Sequence, residues 1–203
     1  MVPRPRAILF DMDGVLVKSD ETWFRCVEDA GVRFRGRAVT REEFFPTFGQ
    51  GTVADVNVFG LRCTPAELDA FYVEAFVRHL GTMWINPEAA PLLSALKDAG
   101  IARAVVTNTV GQLTHEILTR ARLLDFFTSR ATSDRVAHAK PAPDLVQLAC
   151  RELGVEANEA WMVGDSKYDR GAAQAAGVRF VGLGLDGDAR IEGLAQLQRL
   201  LAL

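Results

Sequence analysis

Apolar runs and amphipathic helical patterns alternate along most of this sequence. An apolar run over residues 7–10 stands near the start, and such a run bounded by polar residues is typical of a buried strand. From residue 87 onward the sequence shows helical patterns over 87–99, 112–121, 140–153 and 168–176, which alternate with apolar runs over 101–106, 127–131, 160–163 and 178–181. This alternation predicts an α/β fold, a parallel sheet with helices on both faces. The last residues, 191–203, predict a surface helix.

The stretch between residues 19 and 84 differs because its patterns are helical and its apolar residues are largely aromatic. It holds eight of the twelve phenylalanines. Its clearest helix spans 65–80, where Thr64 is a candidate N-cap and Glu67 stands at the capping-box position. The apolar stripe of this helix comprises Leu68, Phe71, Tyr72, Ala75, Phe76 and His79. We therefore predict a core domain formed by residues 1–16 and 86–203, and an inserted helical domain formed by residues 17–85.

One short motif in the helical stretch, Gly49-Gln50-Gly51, has two interpretations. Glycines at this spacing usually indicate a turn between helices. The motif also fits a loop that hangs over the active site and reads the substrate. The sequence leaves both interpretations open.

Composition and charge narrow the function classes. Of the 203 residues 49% are hydrophobic and 24% are charged, which is ordinary for a soluble globular protein. The formal net charge of −3 argues against a general nucleic-acid binder, which normally presents a basic face. The three cysteines, Cys26, Cys63 and Cys150, are widely spaced and predict reduced thiols in a cytoplasmic protein. We expect no membrane partner, because we find neither a signal-peptide pattern nor an apolar run of the ~20 residues that a span needs.

The candidate chemistry begins where the first strand ends, at Asp11 and Asp13. Residues two apart on an extended chain point to the same side, and open α/β sheets bind ligands beyond the carboxyl ends of their strands. Burying two unpaired carboxylates is costly, and a divalent cation would compensate them. An Asp-Gly turn without chemistry is the simpler alternative. A calcium loop fails, because its sixth position would be Leu16 and its twelfth Thr22 where such loops carry Gly and Glu.

Three further polar clusters follow predicted strands or open predicted helices, so the topology brings them to the same edge of the sheet. Thr107 and Asn108 offer a hydroxyl, an amide and backbone N–H groups to a phosphate. Lys140 offers a point charge to a phosphate oxygen or to the first carboxylate. Asp165 and Asp169 add two acids, enough to complete an oxygen-rich magnesium site. Each cluster alone fits a turn, a helix cap or a solvated lysine, but together they point to one chemistry.

The sequence resembles the haloacid dehalogenase-like (HAD) hydrolases in four ordered motifs: Asp11-Met12-Asp13-Gly14-Val15-Leu16, Thr107-Asn108, Lys140-Pro141 and Gly164-Asp165-Ser166-x-x-Asp169. The resemblance covers roughly residues 1–16 and 86–190 and implies a Rossmann-like core. The helical insertion directly after the first motif resembles the cap domain of the phosphoglycolate phosphatase and phosphoglucomutase-like branch.

The resemblance implies a phosphatase that acts on a small phosphorylated metabolite. Asp11 would attack phosphorus and form an aspartyl-phosphate. Asp13 would protonate the leaving alkoxide and then deprotonate the hydrolytic water. Thr107, the backbone of Asn108 and Lys140 would bind the phosphoryl oxygens.

The resemblance also implies Mg²⁺ as the cofactor. Its ligands would be the carboxylate of Asp11, the backbone carbonyl of Asp13 and the carboxylate of Asp165, with Asp169 orienting the shell. The cap would exclude bulk water and select the leaving group.

The same residues distinguish the phosphatase from other activities of related enzymes. The presence of Asp13 argues against a dehalogenase or a phosphonate hydrolase, since those branches typically lack this acid. A sugar-phosphate mutase would typically carry a histidine in the first cap helix, and by spacing that place holds Trp23. A non-catalytic phosphate or metal sensor predicts a missing carboxylate, and none is missing. The mutase and, less favoured, the sensor therefore stay as alternatives to the phosphatase.

Overall fold

The computed structural model describes residues 4–203 and contains, within that range, eight β-strands and nine α-helices. The strands are β1 (Ala7–Phe10), β2 (Val17–Lys18), β3 (Trp84–Ile85), β4 (Ala102–Thr107), β5 (Ser129–Thr132), β6 (Ala160–Gly164), β7 (Arg179–Leu183) and β8 (Ala189–Ile191). The helices are α1 (Asp20–Arg35), α2 (Arg41–Phe44), α3 (Thr52–Val58), α4 (Pro65–His79), α5 (Ala89–Asp98), α6 (Gly111–Arg120), α7 (Asp144–Leu153), α8 (Lys167–Ala176) and α9 (Leu194–Leu200).

Six strands form one parallel sheet in the order β5-β4-β1-β6-β7-β8. The strand β1 is central and buried at every position, which is why its sequence is a continuous apolar run. Its last residue, Phe10, lies opposite Val105 in β4 and Val163 in β6. The loops that follow these three strands therefore begin at the same edge of the sheet. The predicted α/β class is confirmed.

Alternation along the strands directs side chains to helices on the two faces of the sheet. On one face, Leu9 of β1 and Val106 of β4 belong to a buried cluster with Val146 of α7 and Ala173 of α8. The next residue in β1, Phe10, makes an edge-to-face contact with Phe127, with 6.3 Å between ring centroids. Packing on both faces buries the strands, and the polar loops follow the carboxyl ends of the strands.

Packing divides the chain into two units. The first comprises the segment that ends at Val17 together with Ile85–Leu203, and the second comprises Lys18–Trp84. We call the second the helical unit. Within it α1 packs on α4, and Trp23 of α1 contacts the rings of Tyr72 and Phe76 at 5.3 and 5.0 Å between centroids.

The helix predicted over 65–80 is confirmed, including its start. Thr64 accepts a hydrogen bond from the Glu67 N–H, and the Glu67 carboxylate accepts one from the Thr64 N–H, so the predicted capping box is formed. This helix ends at His79.

The end of the chain differs from its prediction. Residues 189–191 form the short edge strand β8, and the helix begins only at Leu194. The extended backbone of Gly193 interrupts the helix predicted over 191–203. Among residues 4–203 no helix is both long and apolar enough to cross a bilayer.

Candidate active site

A tight turn at the end of β1 presents the first pair of carboxylates. The Asp11 N–H donates to the Val163 carbonyl at 2.9 Å, which continues the sheet register by one residue. The chain then folds back, because the Gly14 N–H donates to the Val17 carbonyl at 2.7 Å. Gly14 has φ +91°, and a Cβ there would collide with the carboxylate of Asp165. Glycine is thus needed both for the turn and for the close approach of Asp165 to the backbone.

Lys140 lies at the centre of the site and is almost fully buried, with 5% of its surface exposed. Its Nζ donates to Asp11 Oδ1 at 2.6 Å, to Asp169 Oδ1 at 2.7 Å and to the carbonyl of Val106 at 3.0 Å. All three donor positions of the ammonium group therefore have acceptors. Burial alone would lower the pKa of Lys140, but the charges of Asp11 and Asp169 outweigh it and raise the pKa. Lys140 is charged at every physiological pH.

Several carboxyl groups surround this one ammonium group, and the pKa values of two of them are raised. Burial, followed by the charge of Asp169, raises the pKa of Asp11 well above its ordinary value, and Lys140 offsets only part of the rise. Burial and the charge of Asp169 also raise the pKa of Asp165 to about 7. Full ionisation of these carboxylates therefore needs more positive charge than the single lysine provides, from bound protons or from a cation. Such a site favours a cation.

Asp169 connects the site to the start of α8. Its Oδ2 accepts hydrogen bonds from the N–H and the hydroxyl of Ser166, and its own N–H donates to the Ser166 hydroxyl, which forms a capping box. Its Oδ1 accepts from Lys140. A Cβ at Gly164 would collide with the Asp169 side chain, so the end of β6 must be a glycine for this carboxylate to fit. Both Asp169 oxygens are thus engaged within the protein.

The loop after β4 lies against the Lys140 segment. The Asn108 side chain accepts from the Lys140 N–H at 2.8 Å and donates to the Lys140 carbonyl at 3.0 Å. This paired contact fixes the backbone from which the lysine side chain extends. The hydroxyl oxygen of Thr107 accepts from the Thr109 N–H at 3.1 Å, so the loop is also closed on itself.

Thr109 is a site residue that the sequence reasoning missed. Its hydroxyl donates to Asp13 Oδ2 at 3.1 Å, which joins the loop after β4 to the turn after β1. The signal was weak: a third polar residue directly after Thr107 and Asn108.

The structure brings predicted site residues of the core close together, and it shows the contacts of Trp23 and Gln50 in the helical unit. The carboxylates of Asp11, Asp165 and Asp169 each offer an oxygen within 4.8 Å of the others, a set that could hold a metal ion. Trp23 packs on aromatic rings of the helical unit. The Gln50 side chain donates to Asp55 Oδ1 at 2.7 Å, so it is turned into its own unit.

Comparison with known proteins identifies relatives over most of the chain. The sequence profile of haloacid dehalogenase-like hydrolases matches residues 8–183. Phosphoglycolate phosphatase of Rhodospirillum rubrum is 31% identical, with 87% of this chain and 78% of that protein covered. Pyrophosphatase PpaX of Bacillus pumilus is 27% identical, with 87% and 82% covered. The crystal structure of a CbbY variant from Rhodobacter sphaeroides in complex with xylulose-(1,5)bisphosphate is similar with a TM-score of 0.82 and 27% identity, over 95% of this chain and 96% of that one.

Proposed function

Because the chain belongs to the haloacid dehalogenase-like hydrolases, we propose that it is a magnesium-dependent phosphatase which hydrolyses a small phosphorylated metabolite through an aspartyl-phosphate. The observation that carries the proposal is the geometry around Asp11. This buried carboxylate is held by Lys140 at 2.6 Å, and a second acid, Asp13, stands two residues further along in a tight turn.

Asp11 is the proposed nucleophile. Its carboxylate attacks the phosphorus atom, a bond forms between the Asp11 oxygen and phosphorus, and the bond to the leaving oxygen breaks. Lys140 supports this step because its ammonium group fixes one Asp11 oxygen and brings positive charge close to the phosphoryl group.

Asp13 is the proposed proton carrier in both halves of the reaction. In the first half it gives its proton to the leaving alkoxide and becomes a carboxylate. In the second half it takes a proton from water as the water oxygen bonds to phosphorus and the bond to Asp11 breaks. The sum is an ester and water converted into an alcohol and inorganic phosphate, with both aspartates restored.

The residues present fit a magnesium ion, since the site offers several hard oxygen donors and the raised pKa of Asp11 shows that its carboxylate form needs additional positive charge. We assign Asp11 and Asp165 as its carboxylate ligands, together with the carbonyl of Asp13. Asp169 stands behind them, because its oxygens already accept from Lys140 and Ser166. When bound, Mg²⁺ supplies charge neutralisation for the phosphoryl group.

Thr107, Asn108 and Lys140 are the proposed phosphate-binding residues. The Thr107 oxygen already accepts from the Thr109 N–H, so its own proton is directed to another acceptor, such as a phosphoryl oxygen. The Asn108 side chain is bonded to the Lys140 backbone, and the group of Asn108 that we assign to phosphate is its backbone N–H.

The helical unit, inserted directly after the first motif, is the proposed cap that selects the leaving group, with the domain limits predicted above. The mutase alternative has less support. By spacing, the place of its characteristic histidine holds Trp23, which is part of an aromatic cluster. The relatives act on different groups by their names, a phosphoglycolate and a pyrophosphate, so the substrate of this chain is left to experiment.

The test is phosphate release from a panel of small substrates, with Mg²⁺ and with EDTA. The panel holds phosphoglycolate, pyrophosphate, xylulose bisphosphate, hexose phosphates and nucleoside monophosphates. Asp11→Asn serves as the matched control, because it removes the nucleophile with little change of shape. We expect Mg²⁺-dependent release by the wild type and none by the variant.

Two results would contradict the proposal. Equal release by the Asp11→Asn variant, prepared identically, would refute the covalent mechanism. Conversion of β-glucose-1-phosphate to the 6-phosphate without release of phosphate would establish the mutase instead.

A further inference from the structure

We infer that Thr109 is a positioning residue for the proton-transfer carboxylate Asp13. This inference rests on the proposed function, in which Asp13 carries the proton. It begins from one contact between two loops that are distant in sequence: the Thr109 hydroxyl lies 3.1 Å from Asp13 Oδ2.

Thr109 is itself held firmly, which makes it suited to hold another group. Its N–H donates to the Thr107 hydroxyl at 3.1 Å, and its carbonyl accepts from the Ser133 N–H at 3.3 Å and from the Thr114 hydroxyl at 3.4 Å. It is buried, with 7% of its surface exposed. Since both ends of its peptide unit are fixed and the side chain has little room, the hydroxyl has a defined position.

A hydroxyl matches the chemical requirement on Asp13 better than other side chains. Asp13 must be a carboxylic acid before the leaving group departs and a carboxylate afterwards. A hydroxyl can donate to a carboxylate oxygen and can accept from a protonated one, so Thr109 holds Asp13 in both states. A lysine in its place would favour the carboxylate alone.

Asp13 needs such a partner because of where it stands. It lies in the turn after β1, and the rotation of a carboxyl group about its last bond has a broad distribution. Proton transfer requires hydrogen-bond distance to the leaving oxygen in the first half-reaction and to water in the second. Thr109 restricts this rotation from the side of the loop that carries Thr107, so the phosphate-binding loop and the proton carrier share one support.

The test compares two variants that separate the hydroxyl from the methyl group. Thr109→Val keeps the shape and removes the hydroxyl, whereas Thr109→Ser keeps the hydroxyl. Thr132→Val is the matched control: it makes the same change on a buried threonine of β5 whose hydroxyl has no hydrogen bond to Thr109 or Asp13 among the described residues. Release of the leaving group is measured in single turnovers with Mg²⁺, using the best alkyl phosphate from the panel and p-nitrophenyl phosphate.

The leaving group makes the readout specific. Nitrophenolate departs without a proton, whereas an alkoxide needs one. We therefore expect Thr109→Val to release the alcohol roughly 10- to 100-fold more slowly, the range typical for loss of a hydrogen bond to a charged group, and to release nitrophenol within about 3-fold of the wild-type rate. Thr109→Ser and Thr132→Val should stay within about 3-fold on both substrates. The ratio of the two rates within one preparation is independent of the fraction that is folded.

Two outcomes overturn the inference. One is alkyl-phosphate turnover by Thr109→Val at the wild-type rate. The other is an equal loss on both substrates, which would mean that Thr109 supports the fold or the phosphate and not proton transfer. If the wild type itself releases neither leaving group with Mg²⁺, the proposed function fails, and that result is distinct because it appears before any variant is compared.

Discussion

Replacement of Lys140 by methionine tests the electrostatic description of the site. The substitution keeps the length of the side chain and removes the only ammonium group that contacts Asp11 and Asp169 among the contacts described here. Both carboxylates are buried, with 6% and 0% of their surfaces exposed. Breaking a buried ion pair by removing one partner typically costs about 3–5 kcal/mol, because the remaining charge is left uncompensated. We expect a loss of this size at pH 8 in the absence of metal.

The pH dependence follows from the sign of the pKa shift. Burial already places the pKa of Asp11 well above its ordinary value, and Lys140 is one of the few influences that lower it. Without Lys140 the pKa rises further, so the folded variant binds protons more tightly than the unfolded chain does. For each additional proton that the folded variant binds, its free energy of unfolding rises by about 1.4 kcal/mol per pH unit of acidification. The deficit of the variant should therefore shrink between pH 8 and pH 6.

The assay is amide hydrogen exchange of peptides from β1 and β6, in EDTA, at both pH values. Exchange of these peptides reports the opening of the core, whereas a single unfolding curve would mix it with the helical unit. Lys97→Met is the control, since it makes the same substitution at an exposed position of α5. A deficit below about 1 kcal/mol at pH 8, or a deficit that grows on acidification, would refute the reasoning.

Three further predictions concern single carboxylates. Asp13→Asn should reduce turnover by roughly 10²- to 10⁴-fold, because the hydrolytic water is no longer deprotonated. Radiolabelled phosphate should then stay on the protein after an acid quench. An unchanged turnover rate would show that Asp13 is not the proton carrier. The pKa of Asp165 is raised to about 7, so binding of Mg²⁺ would have to displace a proton from this carboxyl group. The Mg²⁺ concentration that gives half-maximal activity should therefore fall as the pH rises from 6 to 8. The variant Asp165→Asn should raise this concentration at least 10-fold. Burial raises the pKa of Asp55 from 3.8 to about 6, so the helical unit loses up to about 3 kcal/mol of stability as the pH rises from below 4 through 6. Protection of the α3 and α4 amides, corrected for the intrinsic exchange rate at each pH, should fall from pH 4 to pH 7 in the wild type and not in Asp55→Asn.

Local patterns were sufficient to predict the sheet and the residues at its edge. Buried elements have apolar residues at fixed spacings, and these spacings can be read from the sequence. This holds for the continuous apolar run of β1 and for the alternating strand and helix patterns after residue 87. Asp11, Lys140 and Asp169 were recognised because each follows a strand or opens a helix, and the structure joins them through one ammonium group. The edge strand β8 was missed, since three residues carry too little pattern to interrupt an apparent helix.

Contacts between loops were beyond the reach of sequence patterns. The hydrogen bond from Thr109 to Asp13 spans 96 positions, and the paired bonds of Asn108 with the Lys140 backbone span 32. Each depends on the rotamer of a short polar side chain after the strands have been aligned. The bond from Gln50 to Asp55 is local but needs two left-handed glycines around Gln50, at φ 87° and 88°, to turn the side chain inward.

The strand order has a consequence for the synthesis of the chain. Ala7 in β1 pairs with Ala102 in β4 and with Ala160 in β6, which follow it by 95 and 153 positions. Closing such long loops is entropically unfavourable, and long-range pairing of this kind slows folding. A nascent chain therefore carries Asp11 long before it carries Asp165 and Asp169, and it has no assembled site until β6 and the start of α8 have emerged. Enzymatic activity should thus appear abruptly, only after the start of α8 has emerged, and shortened translation products that stop before residue 164 should be inert.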